Sequence, residues 1–545
     1  MYLKELTLSN FRKYQNLKVE FKQGLNVLIG ENDSGKTAIA DAIKYLLNTK
    51  THDQVRFDER DFYNKGETQT NSFEITGTFT GFEPKEAANF LEWGSFDKEK
   101  KFQLRVNLKA NYRENRISWD LKAGPLNADT QMDGNAKELL KITYLKPLRD
   151  AETELSPGYR SRLAQILLSH KAFKKLNGEV HELIGIINTA NEKVKDYLER
   201  VEAGGQTSGS IIDTIKKHIT SFLQEGDDRV NSTTIGVVAP ELSRILRSLS
   251  LELEANTPGL GTLNKLFMAA ELLHLETDPS NSLKLCIIEE LEAHLHPQAQ
   301  LRVINALQDI NDTQFILTTH STTIGSSIPL ESLILCKNDN AFPMWDGKTK
   351  LAKGDYKFLE RFLDSTKANL FFANGVIMVE GDAENILIPT IAKLIGKPLH
   401  KHGVSIVNVG STAFQRYAKI FNRVDGTKLK IPVSVVTDLD IRAMDYYENK
   451  SGEKEKTIPE FYIVNCNKLT DSNGNSYDIS SINGLCYVSL DDCKQAVKEA
   501  IGLTTMPDGI NLIELPKFKK RQSTDNIEEI RAARKNKIAS SFELP

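Results

Sequence analysis

The chain has 545 residues, more than the roughly 100 to 200 residues of one domain, so we expect about three domains. Hydrophobic residues at 40% and charged residues at 26% are typical of a soluble globular protein, and no apolar run approaches the roughly 20 residues that span a bilayer, which excludes a membrane protein. A net charge of -3 gives no global sign of nucleic-acid binding, and five scattered cysteines without a secretory signal predict reduced thiols in the cytoplasm.

The first elements alternate apolar and polar residues, which predicts a strand with one buried face. A second apolar run from Leu25 to Ile29 predicts a buried strand that ends at Gly30. After a glycine-rich turn, apolar residues recur at helical spacing from Ala38 to Leu47. We therefore expect two strands, a loop and a helix.

The loop between the buried strand and this helix reads GENDSGKT and matches the P-loop pattern. Its glycines let backbone N–H groups wrap phosphates at the positive end of the helix. Lys36 would reach the terminal phosphates of ATP, and the Thr37 hydroxyl would bind Mg²⁺. The residues predicted to bind the nucleotide in this loop are Gly30, Asn32, Ser34, Gly35, Lys36 and Thr37.

Further along the chain, short alternating segments from Ser72 to Trp119 predict an antiparallel meander, and Thr143 to Leu148 predicts a return to the sheet. Residues 156–235 have a helical pattern and predict an insertion. This insertion could serve as a dimerisation arm or pack against its own ATPase core. Strand and helix signals resume from Thr257 to Cys336, and a second α/β domain begins near Ala373.

A buried strand from Leu283 to Ile288 ends in two adjacent carboxylates, Glu289 and Glu290. Such a pair is costly at a strand's end unless a cation lies nearby. Glu289 would hold the Mg²⁺ shell, and Glu290 would polarise the attacking water. The alternative is that one of them is an exposed strand-end charge.

One strand later, His320 follows Phe315 to Thr319. A lone histidine is usually structural, but this one stands at the end of a predicted parallel strand beside Thr319 and Ser321. It could therefore contact the γ-phosphate of ATP.

These motifs, with the opening LTLSNFRKY, resemble the ABC ATPases of the SMC and RecF type. The resemblance implies that Arg12 approaches the nucleotide and that ATP is sandwiched between two heads by a signature loop. The segment TPGLGTLN, with Gly259 and Gly261, stands in the right place for that loop but departs from its usual LSGGQ wording. A plain helix-capping loop is the alternative. The resemblance also implies at least a dimer.

Three further strands are predicted to end at one edge of a second parallel sheet. The first ends at Glu380 and is followed by a helix that carries Glu384, the second ends before Ser411, and the third ends before Asp438 and Asp440. Four converging carboxylates would repel one another, so divalent cations are the natural compensation. Oxygen ligands favour Mg²⁺ or Mn²⁺ over zinc.

The succession MVEGDAE, NVGS and VVTDLD resembles the TOPRIM domain, and the EGDAE and IEELEAHLHP forms resemble the OLD (overcoming lysogenisation defect) nucleases. The resemblance implies metal-dependent phosphodiester cleavage with Glu380, Asp438 and Asp440 as catalytic metal ligands. It also implies a second-metal ligand at Glu384 and a phosphate contact at Ser411. OLD nucleases use a late acidic residue and a lysine as well. The candidates for these are Asp491, Asp492 and Lys537.

Near the end of the sequence, eight basic residues cluster between Lys517 and Lys537. They could form a phosphate-contacting surface, or simply a solvated helix face or tail.

The predicted fold class is α/β, with an ABC-type ATPase head, a helical insertion and a TOPRIM Rossmann-like domain. The predicted segments are 1–155 and 236–340 for the ATPase, 156–235 for the insertion, 341–370 for a linker and 371–545 for the TOPRIM domain with a basic region. The predicted activity is an ATP-regulated, metal-dependent DNA endonuclease of the OLD family. Gabija and retron anti-phage effectors have this architecture, so the resemblance implies anti-phage defence with a partner protein or nucleic acid. Pairing of ABC heads predicts a homodimer, and the insertion could build a tetramer. The alternative is a non-cutting ATP-dependent DNA clamp or scaffold.

Overall fold

The structure of the chain is a computed structural model that divides into two compact units. The first comprises residues 1–328 and 332–343, and the second comprises residues 329–331 and 344–545. The residues described are 1–50, 56–66, 68–126, 129–146, 157–158, 161–169, 171–173, 181–199, 241–249, 261–262, 264–269, 282–410, 413–437, 445–448, 454–457, 460–487, 489–512 and 518–522.

The first unit combines an antiparallel sheet, a mainly parallel sheet and surrounding helices. Its strands are β1 (Tyr2–Phe11), β2 (Tyr14–Glu20), β3 (Leu25–Ile29), β4 (Asn64–Lys65), β5 (Thr68–Gln69), β6 (Ser72–Thr80), β7 (Gly94–Phe96), β8 (Phe102–Arg113), β9 (Arg116–Ala123), β10 (Thr130–Gln131), β11 (Thr143–Leu145), β12 (Leu285–Ile288), β13 (Gln314–Thr319), β14 (Leu333–Lys337) and β15 (Asn340–Pro343). Its helices are α1 (Lys36–Leu47), α2 (Pro84–Ala88), α3 (Gly134–Leu139), α4 (Arg162–Ser169), α5 (Glu182–Glu199), α6 (Leu242–Arg247), α7 (Pro297–Asp309) and α8 (Thr322–Ser327).

The antiparallel sheet has the strand order β10-β9-β8-β6-β1-β2, with β7 paired to β8. Leu3, Leu6 and Leu8 of β1 are fully buried, as the alternation of the opening residues predicts. The prediction of two strands before the glycine-rich turn is wrong, because β1 and β2 form a hairpin before β3. Asn10 and Arg12 adopt positive φ at this turn. The sequence there lacks the glycine that usually marks such a turn.

The parallel sheet has the order β11-β12-β13-β3-β14-β15, in which the last strand is antiparallel. The P-loop strand β3 therefore lies next to β13, and the acidic strand β12 lies on the other side of β13. Because these three strands are parallel, their carboxyl ends share one edge of the sheet. This order brings together motifs that are almost 300 residues apart in the sequence.

The described helices of the predicted insertion, α4 and α5, pack with α6, which lies beyond the predicted insertion, through a small apolar cluster. Ala164 of α4 and Leu242 and Leu246 of α6 are its buried members, and side chains of α5 pack against them. Residues 200–240 lie outside the described residues, so the proposed dimerisation arm remains a prediction.

The second unit contains several small sheets. Its strands are β16 (Gly375–Val379), β17 (Val404–Asn408), β18 (Val433–Val436), β19 (Asp445–Glu448), β20 (Lys454–Thr457), β21 (Glu460–Val464), β22 (Lys468–Thr470), β23 (Ser476–Asp478), β24 (Cys486–Tyr487) and β25 (Phe518–Gln522). Its helices are α9 (Lys353–Phe362), α10 (Asp382–Leu394), α11 (Phe414–Ala418) and α12 (Leu490–Ile501).

The strands β16, β17 and β18 form a parallel sheet, as the sequence predicts. Their order in the sheet is β17-β16-β18. A separate apolar core lies around α12, where Val464, Cys493 and Val497 are fully buried. Four cysteines are buried thiols, namely Cys286, Cys336, Cys466 and Cys493. Among the described residues, no helix is long and apolar enough to cross a membrane.

Candidate functional sites

The P-loop is held in place by its own lysine. Lys36 Nζ donates hydrogen bonds to the carbonyls of Gly30 (2.7 Å) and Glu31 (2.6 Å) and lies 3.3 Å from Ser34 Oγ. Burial lowers the pKa of this ammonium group below its ordinary value. Phosphate oxygens would be stronger partners for the cation than these carbonyls are.

Tyr14 supports the P-loop from β2, a role that the sequence motif does not indicate. Its hydroxyl donates to the carbonyl of Ser34 (3.2 Å), and its side chain is fully buried. Gly35 has φ +100°, and a Cβ there would lie 2.0 Å from the Tyr14 oxygen. Both the backbone conformation and this contact require glycine.

A cavity of about 820 Å³ opens beside the loop. Its lining residues come from the P-loop, from the end of the acidic strand β12 and from the end of β13. The sequence predicts these three parts of the site from separate motifs. Its lining residues are Arg12, Lys13, Asn32, Asp33, Gly35, Lys36, Thr37, Ala38, Glu290, Thr318 and His320. The cavity thus combines cationic side chains, P-loop residues and the carboxylates of Asp33 and Glu290, and a nucleoside triphosphate site requires such a combination.

The two carboxylates that follow β12 have different surroundings. Glu289 is 1% exposed and accepts a hydrogen bond from the Tyr144 hydroxyl (2.9 Å). Glu290 has φ +45°, and its N–H donates to Thr318 Oγ1 (3.0 Å). Burial, with the nearby charge of Asp41, raises the pKa of Glu289 to about 7. Glu289 is therefore a buried acid that a cation would favour in its charged form.

The raised pKa of Glu289 predicts that the free energy of unfolding depends on pH. Between the ordinary glutamate pKa and about 7, the folded chain holds a proton at Glu289 that the unfolded chain has released, so stability falls as pH rises through this window. We expect Glu289→Gln, without Mg²⁺ or nucleotide, to raise the free energy of unfolding by about 1 to 3 kcal/mol at pH 8 and by little at pH 5. Urea titrations at both pH values measure this.

The matched control is Glu99→Gln, because that side chain is 72% exposed. It should leave stability unchanged at both pH values. Equal gains for Glu289→Gln at pH 5 and pH 8 would contradict the expected protonation.

Arg12 lies in the cavity wall, but its guanidinium is paired within the protein. Nη1 lies 2.6 Å from Asp41 and Nε lies 2.9 Å from Asp61. Lys44 also pairs with Asp41. Burial alone would lower the pKa of Arg12, but the two carboxylates outweigh it and raise the pKa above its ordinary value. Arg12 thus ties β1 to α1 and to the segment before β4, and its predicted contact with nucleotide remains a prediction.

We expect Arg12→Ala to lower the free energy of unfolding by about 2 to 3 kcal/mol, because it removes the cation that lies between the buried carboxylates of Asp41 and Asp61. Urea unfolding of the full chain measures the change. Arg60→Ala is the matched control, since that side chain is 93% exposed and pairs loosely with Asp58. Equal stability of the two variants would mean that the buried pairs contribute nothing.

Sequence reasoning missed Glu292, which holds the residue predicted to contact the γ-phosphate. Its Oε1 accepts from the main-chain N–H of His320 (2.7 Å) and lies 3.0 Å from His320 Nδ1. Its Oε2 accepts from Thr319 Oγ1 (2.8 Å). The available signal was a third carboxylate two residues after Glu290 in the EELE run.

The segment predicted as a signature loop is described only in part. Gly259 lies outside the described residues, whereas Gly261 begins a helical stretch at 261–262. A Cβ on Gly261 would lie 2.7 Å from the carbonyl oxygen of His294. This close approach requires glycine, and the choice between signature loop and capping loop remains open.

The second predicted site lies at the carboxyl ends of the parallel strands β16, β17 and β18. Glu380 Oε2 accepts from Thr437 Oγ1 (2.5 Å), which joins the ends of β16 and β18. Glu384 Oε2 accepts from the N–H of Gly381 (3.0 Å) at the start of α10. Ser411, Asp438 and Asp440 lie outside the described residues. Within the residues described, no group of three metal-ligating side chains is present.

The late acidic candidates lie in the first turn of α12. Ser489 Oγ accepts from the N–H of Asp492 (3.1 Å), and the Asp491 side chain is 93% exposed. Carboxylates at this end of a helix are favoured by its dipole, which accounts for them without a metal. Lys537 and most of the basic cluster lie outside the described residues.

A family model described as "AAA domain, putative AbiEii toxin, Type IV TA system" matches residues 25–326, more than half of the chain. The chain belongs to this AAA-domain family. A second model, described as the TOPRIM domain of overcoming lysogenization defect protein-like proteins, matches residues 371–440. The AAA domain is therefore followed by an OLD-like TOPRIM domain, which confirms the predicted fold class and the predicted resemblance.

Two relatives match most of this AAA-domain protein at modest identity. Endonuclease GajA of Bacillus cereus is 23% identical and covers 82% of this chain and 77% of its own. OLD nuclease of Thermus scotoductus is 24% identical and covers 81% of this chain and 83% of its own. The solved SMC head domain of Thermotoga maritima aligns with 14% identity and a TM-score of 0.29, covering 63% of this chain and 97% of that one.

Proposed function

We propose that this chain is an ATP-regulated, divalent-metal-dependent DNA endonuclease. The proposal rests on the observation that one chain contains both a cavity beside a P-loop and an OLD-like TOPRIM domain. The similarity over about four fifths of the chain to proteins named endonuclease and nuclease supports it. The TOPRIM unit would cut DNA, and the AAA domain would control the cutting through ATP.

In the AAA domain, Lys36 would bind the terminal phosphates, and Thr37 and Glu289 would hold the Mg²⁺ that accompanies ATP. Glu290 polarises the attacking water, and its place in the cavity wall supports this role. His320 contacts the γ-phosphate. A second copy of the chain would complete the site through the loop that carries Gly259 and Gly261, which makes a homodimer or tetramer the working assembly.

In the TOPRIM domain, the donor set fits Mg²⁺ or Mn²⁺, since Glu380 stands at a strand end held by Thr437 and carboxylate oxygens suit these ions. Glu380, Asp438 and Asp440 would hold the ions, with Glu384 as a ligand of a second one, and the ions would supply Lewis-acid polarisation of the phosphodiester. Glu384 accepts the Gly381 N–H at Oε2, so Oε1 would be the oxygen that holds a cation.

The biological role that we propose is anti-phage defence in the cytoplasm, supported by the resemblance to Gabija and retron effectors. The partners would be DNA, further copies of the chain, and a defence protein or nucleic acid. The basic cluster between Lys517 and Lys537 would contact phosphates of the DNA.

The test is cleavage of supercoiled plasmid by the purified full-length protein with Mg²⁺ or Mn²⁺, each with and without ATP and with EDTA as the control. We expect nicked or linear DNA that depends on the metal, and a rate that changes with ATP. ATP hydrolysis without cleavage under any of these conditions would contradict the nuclease and favour a non-cutting clamp or scaffold.

A further inference from the structure

The carboxylate of Glu292 occupies a protected place at the end of β13, against a ring that stays accessible. The Glu292 side chain is 9% exposed, and the His320 side chain is 46% exposed and forms part of the cavity wall beside Lys36. One oxygen of Glu292 meets both the backbone N–H and Nδ1 of His320. These two contacts from Glu292 restrain both the backbone of His320 and the rotation of the His320 ring.

This arrangement determines which ring nitrogen is left for the cavity. Nδ1 is the ring nitrogen that lies 3.0 Å from this carboxylate oxygen, and a carboxylate only accepts hydrogen bonds, so a ring that donates to Glu292 carries its hydrogen on Nδ1. Nε2 is then the remaining nitrogen. The other charged residues of the cavity wall are Arg12, Lys13, Asp33, Lys36 and Glu290.

We propose that Glu292 is a positioning residue of the nucleotide site, which orients His320 through its Nδ1 and main-chain N–H so that Nε2 faces the terminal phosphate of ATP. This inference rests on the proposed ATP hydrolysis. Carboxylates in this position beside metal-ligating histidines act in the same way, by fixing the tautomer and the ring orientation.

A purely structural role would act through a different contact. Thr319 Oγ1 donates to the other oxygen of Glu292 and also accepts from the N–H of Ser321 (3.0 Å), the N-cap residue of α8. If Glu292 only held the end of β13, loss of the Thr319 hydroxyl would have the same consequence as loss of Glu292. Thr319→Val is therefore the matched control, because it removes this contact and leaves both contacts to His320.

The experiment compares kcat and KM for ATP in the full-length protein with Mg²⁺. The variants are Glu292→Ala, Glu292→Gln, His320→Ala, Thr319→Val and the double variant of Glu292→Ala with His320→Ala. We expect Glu292→Ala and His320→Ala each to lower kcat by roughly 10- to 100-fold, the range for one charge-assisted hydrogen bond. The double variant should be no slower than His320→Ala, since residues that act through one another are not additive. Glu292→Gln keeps the accepting oxygen and should recover roughly tenfold over Glu292→Ala.

Three results would overturn the positioning role. The first is a double variant whose fold-loss in kcat equals the product of the two single fold-losses. The second is a Glu292→Gln variant with a kcat as low as that of Glu292→Ala. The third is a Thr319→Val variant with a kcat as low as that of Glu292→Ala or His320→Ala. Equilibrium binding of ATP to the unaltered protein separates this proposal from the proposed function. If that protein neither binds nor hydrolyses ATP, the nucleotide function itself is wrong.

Discussion

We expect Lys36→Ala to lower the rate of ATP hydrolysis by roughly 100- to 1,000-fold. The ammonium group is the cation nearest the phosphates in a P-loop, where it stabilises charge that develops on the leaving oxygens. In this chain the Lys36 ammonium group donates to the Gly30 and Glu31 carbonyls at the N-terminus of α1. It therefore already lies beside the loop that would bind the phosphates. A steady-state assay of phosphate release with Mg²⁺ measures the loss.

Lys18→Ala is the matched control for this variant, because Lys18 lies on β2, is 59% exposed and pairs with Glu5 at the surface. It should hydrolyse ATP at the unaltered rate. Since Lys36 also bonds the loop in the absence of ATP, the thermal unfolding of both variants should be compared. A folded Lys36→Ala protein with an unaltered rate would place ATP hydrolysis at some other site.

Glu380→Gln is expected to lower metal-dependent DNA cleavage by roughly 1,000-fold and to leave ATP hydrolysis intact. The substitution keeps the size of the side chain and its bond to Thr437 but removes the charge that a divalent cation requires. A loss of this size corresponds to about 4 kcal/mol of transition-state stabilisation, the range that a metal ion supplies to phosphodiester cleavage. Plasmid nicking across a titration of Mg²⁺ or Mn²⁺ measures it.

Glu360→Gln makes the same chemical change on the exposed surface of α9 in the same unit and should cut at the unaltered rate. If Glu380→Gln cuts as fast as Glu360→Gln, then the cutting carboxylates do not include the first acidic residue of the TOPRIM motif. If both ATP hydrolysis and cutting fail in Glu380→Gln alone, the effect of this residue is not confined to the metal site.

The local motifs and their chemistry could be predicted from the sequence because each depends on neighbouring residues. The strand, glycine-rich loop and helix from Leu25 to Leu47 follow from apolar spacing and from glycines that free the backbone. The three strands of the TOPRIM sheet follow from the same spacing rules, and their shared edge follows from their parallel direction. The family resemblance rests on these same short motifs.

The contacts that set the properties of the candidate site could not be predicted, because they join residues far apart in the sequence. Tyr144 against Glu289 and Glu292 against His320 join the ends of strands that are neighbours only through the order of the parallel sheet. Tyr14 against Gly35 joins a strand of the antiparallel sheet to the loop that follows β3 of the parallel sheet. The hairpin before β3 was missed because its positive-φ positions are Asn10 and Arg12 rather than glycine.

The sequence by itself predicted which residues would carry phosphate and metal chemistry, because residue type and short spacing indicate a P-loop and acidic strand ends. Only the tertiary structure decided that Arg12 is paired to Asp41 and Asp61, and that the pKa of Glu289 rises to about 7. Burial and ion pairing depend on distances through space, and the sheet sets these distances by placing β12, β13 and β3 side by side.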